Sequence, residues 1–451
     1  MKTLALLLAL AALQDAPPRS GNPGVGDVLL PHLGNGGYDV ASYDIALSVD
    51  PETSEIEAHC RITSRATHAL STFNLDFGSL EVDEIRVGDE VVEWSRNGRE
   101  LTVQPAHPIA LGDEFVTDVT YSGTPAPIRS RAFPMMAIGW MAFDDEVFVL
   151  SEPEGAASWF PCNDHPSDKA AYTFAVTVPD THAVAANGRR VAVDEGDGVR
   201  THRFDAPAPM ASYLATIAIG RFDIVEGETD DGIPLVHYLP EGTAEDFEDE
   251  IAFTAEIVPW LAERFGPYPF ETCGAIVAEV GFPGALETQT LPTYADIAFS
   301  ESVIVHELAH QWFGNSVGIT QWEDIWLSEG FAMFSMWMVK EKDDGYEAYL
   351  DEAESTYRMV KGMNVGPPAT PPVHDLFGSN VYMRGALVLH RARVELKDEK
   401  FFAMLRAWSE RYRHGFATTD GFIEHVSEFA DRDMTELLGP WLYDKTVPEA
   451  W

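Results

Sequence analysis

The first half of the chain alternates between apolar and polar positions, and the second half does not. From Tyr38 to about Phe222, apolar residues fall on every second position in short runs. Tyr43, Ile45, Leu47 and Val49 form one such run, and Ile56, Ala58, Cys60 and Ile62 form the next. A period of two turns one face of a strand toward a core. Asn97-Gly98, Asn187-Gly188 and the stretch from Asp194 to Gly198 separate the runs with turn-forming residues. The pattern predicts an all-β domain over 38–222. After Ile233 the spacing becomes helical, with Phe247, Ile251, Val258, Leu261 and Phe265 on one face and Pro259 set to kink that helix. Further helices are predicted over 300–317, 324–342, 345–360, 381–396, 399–413 and 419–430. No internal repeat and no heptad pattern interrupts this order. The fold class expected is α+β and multidomain, with a mainly helical domain over 223–451 behind the β domain.

The start of the chain has a different pattern. Lys2 precedes an unbroken apolar run from Leu4 to Leu13, the layout of a secretory signal peptide over 1–16, with cleavage expected between Ala12 and Pro17. Ten helical residues span about 15 Å, half a bilayer core, so the run is not a transmembrane anchor. No cysteine follows it to carry a lipid. Residues 17–37 are rich in Pro and Gly and are expected to form a flexible linker. An exported protein, periplasmic or extracellular, is expected on this reading.

Composition narrows the function. Cys60, Cys162 and Cys273 are the only cysteines in 451 residues, too few for a disulfide framework. With 73 acidic residues against 30 basic ones the net charge is −43, which excludes non-specific nucleic-acid binding. So acidic a surface suits solubility in high salt, with compositional drift as the plainer alternative.

The chemistry concentrates in Val305-His306-Glu307-Leu308-Ala309-His310-Gln311-Trp312-Phe313. On a helix, His306 and His310 lie one turn apart on one face, where both imidazoles reach one metal ion. Glu307 is rotated off that axis, toward a water at the metal rather than the metal. Glu329, separated from His310 by eighteen residues, lies in the apolar run Asp324 to Ala332. Two histidines and one carboxylate leave a coordination position open, the arrangement of a catalytic rather than a structural zinc site. The apolar flanks Ile304, Val305, Leu308, Trp312 and Phe313 bury this helix, and buried histidines need partners.

This spacing, with Trp326-Leu327-Ser328-Glu329-Gly330-Phe331-Ala332, resembles the M1 family of zinc metallopeptidases, the gluzincin aminopeptidases, in which asparagine is usual at the position of Ser328. The resemblance runs from about Tyr38 to Trp451. Gly284-Ala285-Leu286-Glu287-Thr288 is similar to the family's Gly-x-Met-Glu-Asn signature, which implies that Glu287 receives the substrate's free α-ammonium. The small residues Gly284 and Ala285 allow a substrate backbone to approach closely. Trp159-Phe160-Pro161-Cys162-Asn163-Asp164-His165-Pro166 resembles the family's Phe-Pro-Cys-x-Asp-x-Pro. Counting back from Cys162 puts the second amine-binding carboxylate at Glu152, with Glu154 the nearby alternative. Cys162 and His165 have metal-pair spacing but no second pair, which favours a packed structural turn. Val381-Tyr382-Met383-Arg384-Gly385 is similar to the family's Tyr-Glu-Lys-Gly helix, which implies Tyr382 as the oxyanion-stabilising phenol.

The resemblance implies a saddle-like β domain docked on a thermolysin-like catalytic domain, with Glu152 delivered across the seam. It also implies a short form that ends without the helical C-terminal domain of larger members. The expected protein is a zinc aminopeptidase with one Zn²⁺ per chain held by His306, His310 and Glu329, and Glu307 as general base. Its partners would be peptides with a free N-terminus, and its oligomeric state is not encoded in any motif. The alternatives are a zinc endopeptidase, which would need no amine anchor, and a secreted peptide-binding protein without catalysis.

Overall fold

The computed structural model describes residues 17–78, 80–279 and 284–449; the expected signal peptide lies outside them. The chain divides into two compact units, one of residues up to Ile128 plus Ala137–Arg221, the other of Arg129–Met136 plus Phe222 onward. No helix among the described residues is long and apolar enough to cross a membrane.

The first unit is built from strands. Its eight-stranded sheet centres on Tyr38–Asp50, which pairs antiparallel with Glu55–Ala66 on one side and parallel with Lys169–Pro179 on the other. Alternate residues of these strands are buried, as a period of two requires. Tyr43 stacks on Tyr172 at 4.9 Å and meets Phe160 edge-on at 5.4 Å, so the segment that leads into Cys162 packs on the sheet. The backbone of Cys162 exchanges both hydrogen bonds with Asp76, and His165 turns its ring to Asp27 and Ser167. Cys162 and His165 thus belong to a packed turn. Cys60, Cys162 and Cys273 are all buried and free.

The expected linker at 17–37 is folded instead. Arg19–Ser20 adds a parallel edge to the strand Leu70–Asp76, and Asn22–Pro23 pairs with Asn35–Gly36. Leu30 and Leu33 are buried, and the Asp27 carboxylate accepts from the Leu29 and Leu30 amides at 2.8 and 2.7 Å. The Pro and Gly content marks tight turns here rather than disorder, because those turns carry buried leucines and internal hydrogen bonds.

The second unit sets helices around a five-stranded sheet ordered Phe222–Glu228, Pro234–Pro240, Cys273–Ala278, Thr293–Ala295 and Ala285–Leu286. The helical period expected from Ile233 misses the Pro234–Pro240 and Cys273–Ala278 strands. The latter is buried along its whole length, so it has no alternation to read. The helices are α1 (Glu248–Phe265), α2 (Glu301–His310), α3 (Trp326–Asp344), α4 (Tyr346–Met363), α5 (Gly385–Arg411), α6 (Thr419–Ala430) and α7 (Thr435–Tyr443). Pro259 sits inside an unbroken α1. α2 stops at His310, short of the predicted 317, and Gly314 then takes a φ of +116° that a side chain rarely adopts. The two helices predicted at 381–396 and 399–413 meet at Lys397, whose φ of 65° breaks α5. A π-turn over Asn380–Arg384 leads into α5.

Candidate metal centre and active site

Three donor atoms converge between α2 and α3 in the second unit. α2 presents His306 and His310 from one face, with ring centroids 4.8 Å apart, and α3 presents Glu329 from its first turn. Glu329 Oε2 lies 3.2 Å from His306 Nε2 and 3.4 Å from His310 Nε2. Bonds of about 2.0–2.1 Å in a tetrahedron put neighbouring donors about 3.3–3.4 Å apart, so the set is spaced for one zinc ion.

Charge points the same way. Glu287, Glu307 and Glu329 are buried around His310. Burial lowers the proton affinity of His310, but the three carboxylates, Glu287 and Glu329 foremost, outweigh it and push its pKa up to about 10. Burial also acts to raise Glu329, yet His310 and His306 pull it down to about 2. Burial pushes Glu287 up and Glu307 well above the ordinary carboxylate range, with His310 opposing both shifts. Three buried carboxylates thus crowd one imidazole, and without a cation the site holds protons on His310 and on its raised acids; a divalent cation at the donor set takes the place of those protons.

The remaining groups gather at the same place. Glu307, Glu287 and His310 form a second cluster whose donor atoms lie within 4.8 Å of one another. Glu287 follows Ala285–Leu286, the edge strand of the sheet, which pairs with Tyr294 and Thr293, and the Gly284 carbonyl accepts from the Ala295 amide at 2.9 Å. The Glu287 carbonyl accepts from Asn315 Nδ2 at 2.7 Å and from Gln311 Nε2 at 3.3 Å, and Gln311 Oε1 accepts from the Thr290 amide at 2.8 Å. Gln311 and Asn315 thus tie the Glu287 loop to the end of the metal helix. Neither stood out in the sequence; the available signal was two amide side chains in an otherwise apolar stretch. The Tyr382 ring, carried on the π-turn, lies parallel to the His306 ring at 5.9 Å.

Glu152 belongs to the first unit, just after the strand Glu146–Leu150. Its neighbour Glu154 is ion-paired there with Arg99 and shares a 3.0 Å hydrogen bond with His32 Nε2.

Two family models account for most of the chain. The Peptidase family M1 domain matches residues 250–441, and the Peptidase M1 N-terminal domain matches residues 40–214. The chain belongs to peptidase family M1. Aminopeptidase M1-A of Oryza sativa subsp. japonica is 27% identical over 410 residues, 82% of this chain and 46% of the relative. Glutamyl aminopeptidase of Homo sapiens is 28% identical over 325 residues, 66% of this chain and 34% of the relative. The chain spans less than half the length of these two relatives. The crystal structure of an M1 zinc metallopeptidase from Deinococcus radiodurans aligns at TM-score 0.88 and 29% identity, covering 94% of this chain and 98% of that one. A variant of the M1 zinc metallopeptidase from that organism, bound to a Tyr-Ser-Ala substrate, aligns at TM-score 0.87 with 29% identity and the same two coverages.

Two departures from the M1 motifs have a structural account. Ser328 stands where the motif usually has asparagine. His310 Nδ1 lies 2.8 Å from Ser328 Oγ and 3.2 Å from the Phe313 carbonyl, and Ser328 Oγ donates to that carbonyl at 3.1 Å. A carbonyl only accepts, so Nδ1 carries the proton and Nε2 keeps its lone pair for a metal. A Cβ at Gly314 would lie 2.2 Å from Ser328 Oγ, so the glycine makes room for this bond. Arg384, in place of the motif's lysine, is fully buried and donates to the carbonyls of Trp441, Val365, Pro440 and Asp444 at 2.8–3.1 Å. It clamps the Tyr382 turn to the end of α7.

Proposed function

We propose that this chain is a zinc-dependent aminopeptidase that releases the first residue of peptides. Glu287 carries the reading. Its carboxylate is buried beside Glu307 and His310, and Oε1 has no hydrogen-bond partner among the described residues. A peptide's α-ammonium supplies the cationic donor that this oxygen lacks. The two curated relatives are named aminopeptidases, and the Tyr-Ser-Ala complex of a related enzyme supports peptides as the substrate class.

Zinc held by His306, His310 and Glu329 would lower the pKa of a water molecule and polarise the scissile carbonyl. Glu307 takes a proton from the attacking water and returns it to the leaving amine nitrogen. The Tyr382 hydroxyl donates to the carbonyl oxygen as negative charge develops there. Gly284 and Ala285, at the start of the edge strand, are small enough to let an extended substrate approach closely. Glu152 is assigned to amine binding on the motif count from Cys162. With that ammonium held, the cut falls after the first residue.

The test is turnover of aminoacyl-anilides beside their N-acetylated counterparts, before and after chelation and zinc add-back. Turnover of the free-amine set alone, lost with chelator and restored by zinc, is the expected result. Cleavage of blocked substrates would instead make the chain an endopeptidase, and zinc binding without any turnover would make it a peptide-binding protein. We also propose export, on the pattern of residues 1–16; N-terminal sequencing of protein recovered outside the cytoplasm tests it.

A further inference from the structure

A groove of about 320 Å³ opens between α2, α3 and the start of α4. Its register links it to the metal donors. Ser302 precedes His306 by four residues on α2, and Met333 lies four residues beyond Glu329 on α3, and both line the groove. Residues four apart share a helix face at about 6 Å, so the groove begins one turn outward from the donor set on both helices. Val305, Met333, Met336 and Trp337 give it an apolar floor, with Met333 and Met336 half-buried.

Its rim is acidic. Glu352 is 3.8 Å from Lys340, and Asp343 is 3.2 Å from Lys342, but Glu301 and Asp344 form no ion pair among the described residues. An apolar floor under an acidic rim fits a side chain with an aliphatic stem and a cationic end.

We propose that this groove receives the part of the peptide downstream of the scissile bond and favours lysine or arginine there. The proposal rests on the aminopeptidase reading and adds a substrate class to it. The amine anchor sets the first residue of the substrate; the groove selects the residues on its C-terminal side.

The experiment compares Leu-Lys-Ala, Leu-Ala-Ala and Leu-Glu-Ala with leucyl-anilide, which has no residue to place in the groove. Each peptide's kcat/KM is read as a ratio to the anilide's. The lysine peptide should exceed the glutamate peptide by about fivefold or more, the worth of an exposed ion pair or two. At about 0.5 M salt that preference should shrink, because exposed charges are screened. In the double variant Glu301→Gln/Asp344→Asn the lysine-to-glutamate ratio should fall toward one. Equal turnover of the lysine and glutamate peptides by an enzyme that cleaves the anilide would overturn the proposal and leave the aminopeptidase reading standing. A preference that survives in the double variant would move the cationic subsite away from this groove. An anilide that is not cleaved would sink the aminopeptidase reading, and this inference with it.

Discussion

Gly330 of α3 and Gly385 of α5 pack backbone against backbone. A Cβ built on Gly330 lies 2.9 Å from the Gly385 carbonyl carbon, and one built on Gly385 lies 3.1 Å from Gly330 Cα. Gly330 is next in the chain to Glu329, the proposed third metal ligand, and Gly385 adjoins the π-turn that carries Tyr382, so this crossing holds the phenol beside the candidate metal site. Neither helix can yield without moving Glu329 or Tyr382. Gly385→Ala should therefore cost about 1–3 kcal/mol of stability and lower kcat more than it raises KM. Thermal melts with steady-state kinetics check it; wild-type kcat in a stably folded variant would refute the coupling.

Glu307 and Tyr382 are assigned to separate steps, and their variants should differ. Glu307→Gln removes the proton carrier while keeping the side chain's size, so kcat should fall by about 10²–10⁴ with zinc content unchanged. Tyr382→Phe removes one donor to the oxyanion and should cost about 10²–10³ in kcat with little change in KM. Metal analysis of each purified variant separates lost chemistry from a lost ion. Retained activity in Glu307→Gln ends its assignment as general base.

Ser328 holds the His310 tautomer through a 2.8 Å contact with Nδ1. In Ser328→Ala the Phe313 carbonyl, at 3.2 Å, remains the only acceptor described for that nitrogen. Loss of one such outer partner lowers metal affinity by about 10–100-fold. Competition with a chromogenic chelator measures this directly. Ser328→Asn, the usual residue of the motif, should do worse than serine here unless Gly314 shifts, because the larger amide must fit the space that the Gly314 backbone leaves.

Gln311 and Asn315 hold the Glu287 loop through the Glu287 carbonyl and the Thr290 amide, and Gln311 Nε2 also reaches the Glu307 carbonyl at 3.5 Å. Asn315→Ala and Gln311→Ala should raise KM for free-amine substrates and narrow the preference for them over N-acetylated ones, while zinc stays bound. An unchanged preference would show that the Glu287 loop is held by its own strand pairing.

The features legible in the sequence are the local ones. His306 and His310 were legible because helical geometry alone fixes a four-residue spacing, and Glu329 because it starts the next apolar helix. Glu287 was legible through its motif, since a two-residue edge strand has no periodicity. Trp312 and Phe313 extend the apolar pattern of α2, so its end at His310 could not be read; the close approach of Gly314 to Ser328 decides it, and that is a tertiary contact. Residues 17–37 misled for the opposite reason. Their turn residues were visible, but the pairing of Asp27 with His165 depends on a residue 138 positions away.

The first unit should grow less stable as the pH rises. Burial, with the nearby charge of Asp39, pushes Asp168 up from 3.8 to about 8, against the pull of Asn163 and the Val40 amide. Burial likewise raises the neighbouring Asp164 to about 6, although Ser212 and Arg99 oppose it. An acid whose folded pKa is raised binds more protons folded than unfolded at every pH between the two values. Stability then falls as pH rises from the unfolded value of 3.8 and levels off above about 8. Asp168→Asn fixes the neutral form, keeps a side-chain carbonyl to accept from Val40, and removes this proton from the balance. Melting temperatures taken between about pH 5 and pH 8 should decline for the parent protein and decline less steeply for the variant. Parallel slopes would show that Asp168 is charged throughout that range in the folded unit, with Asn163 and the Val40 amide sufficient to hold it so.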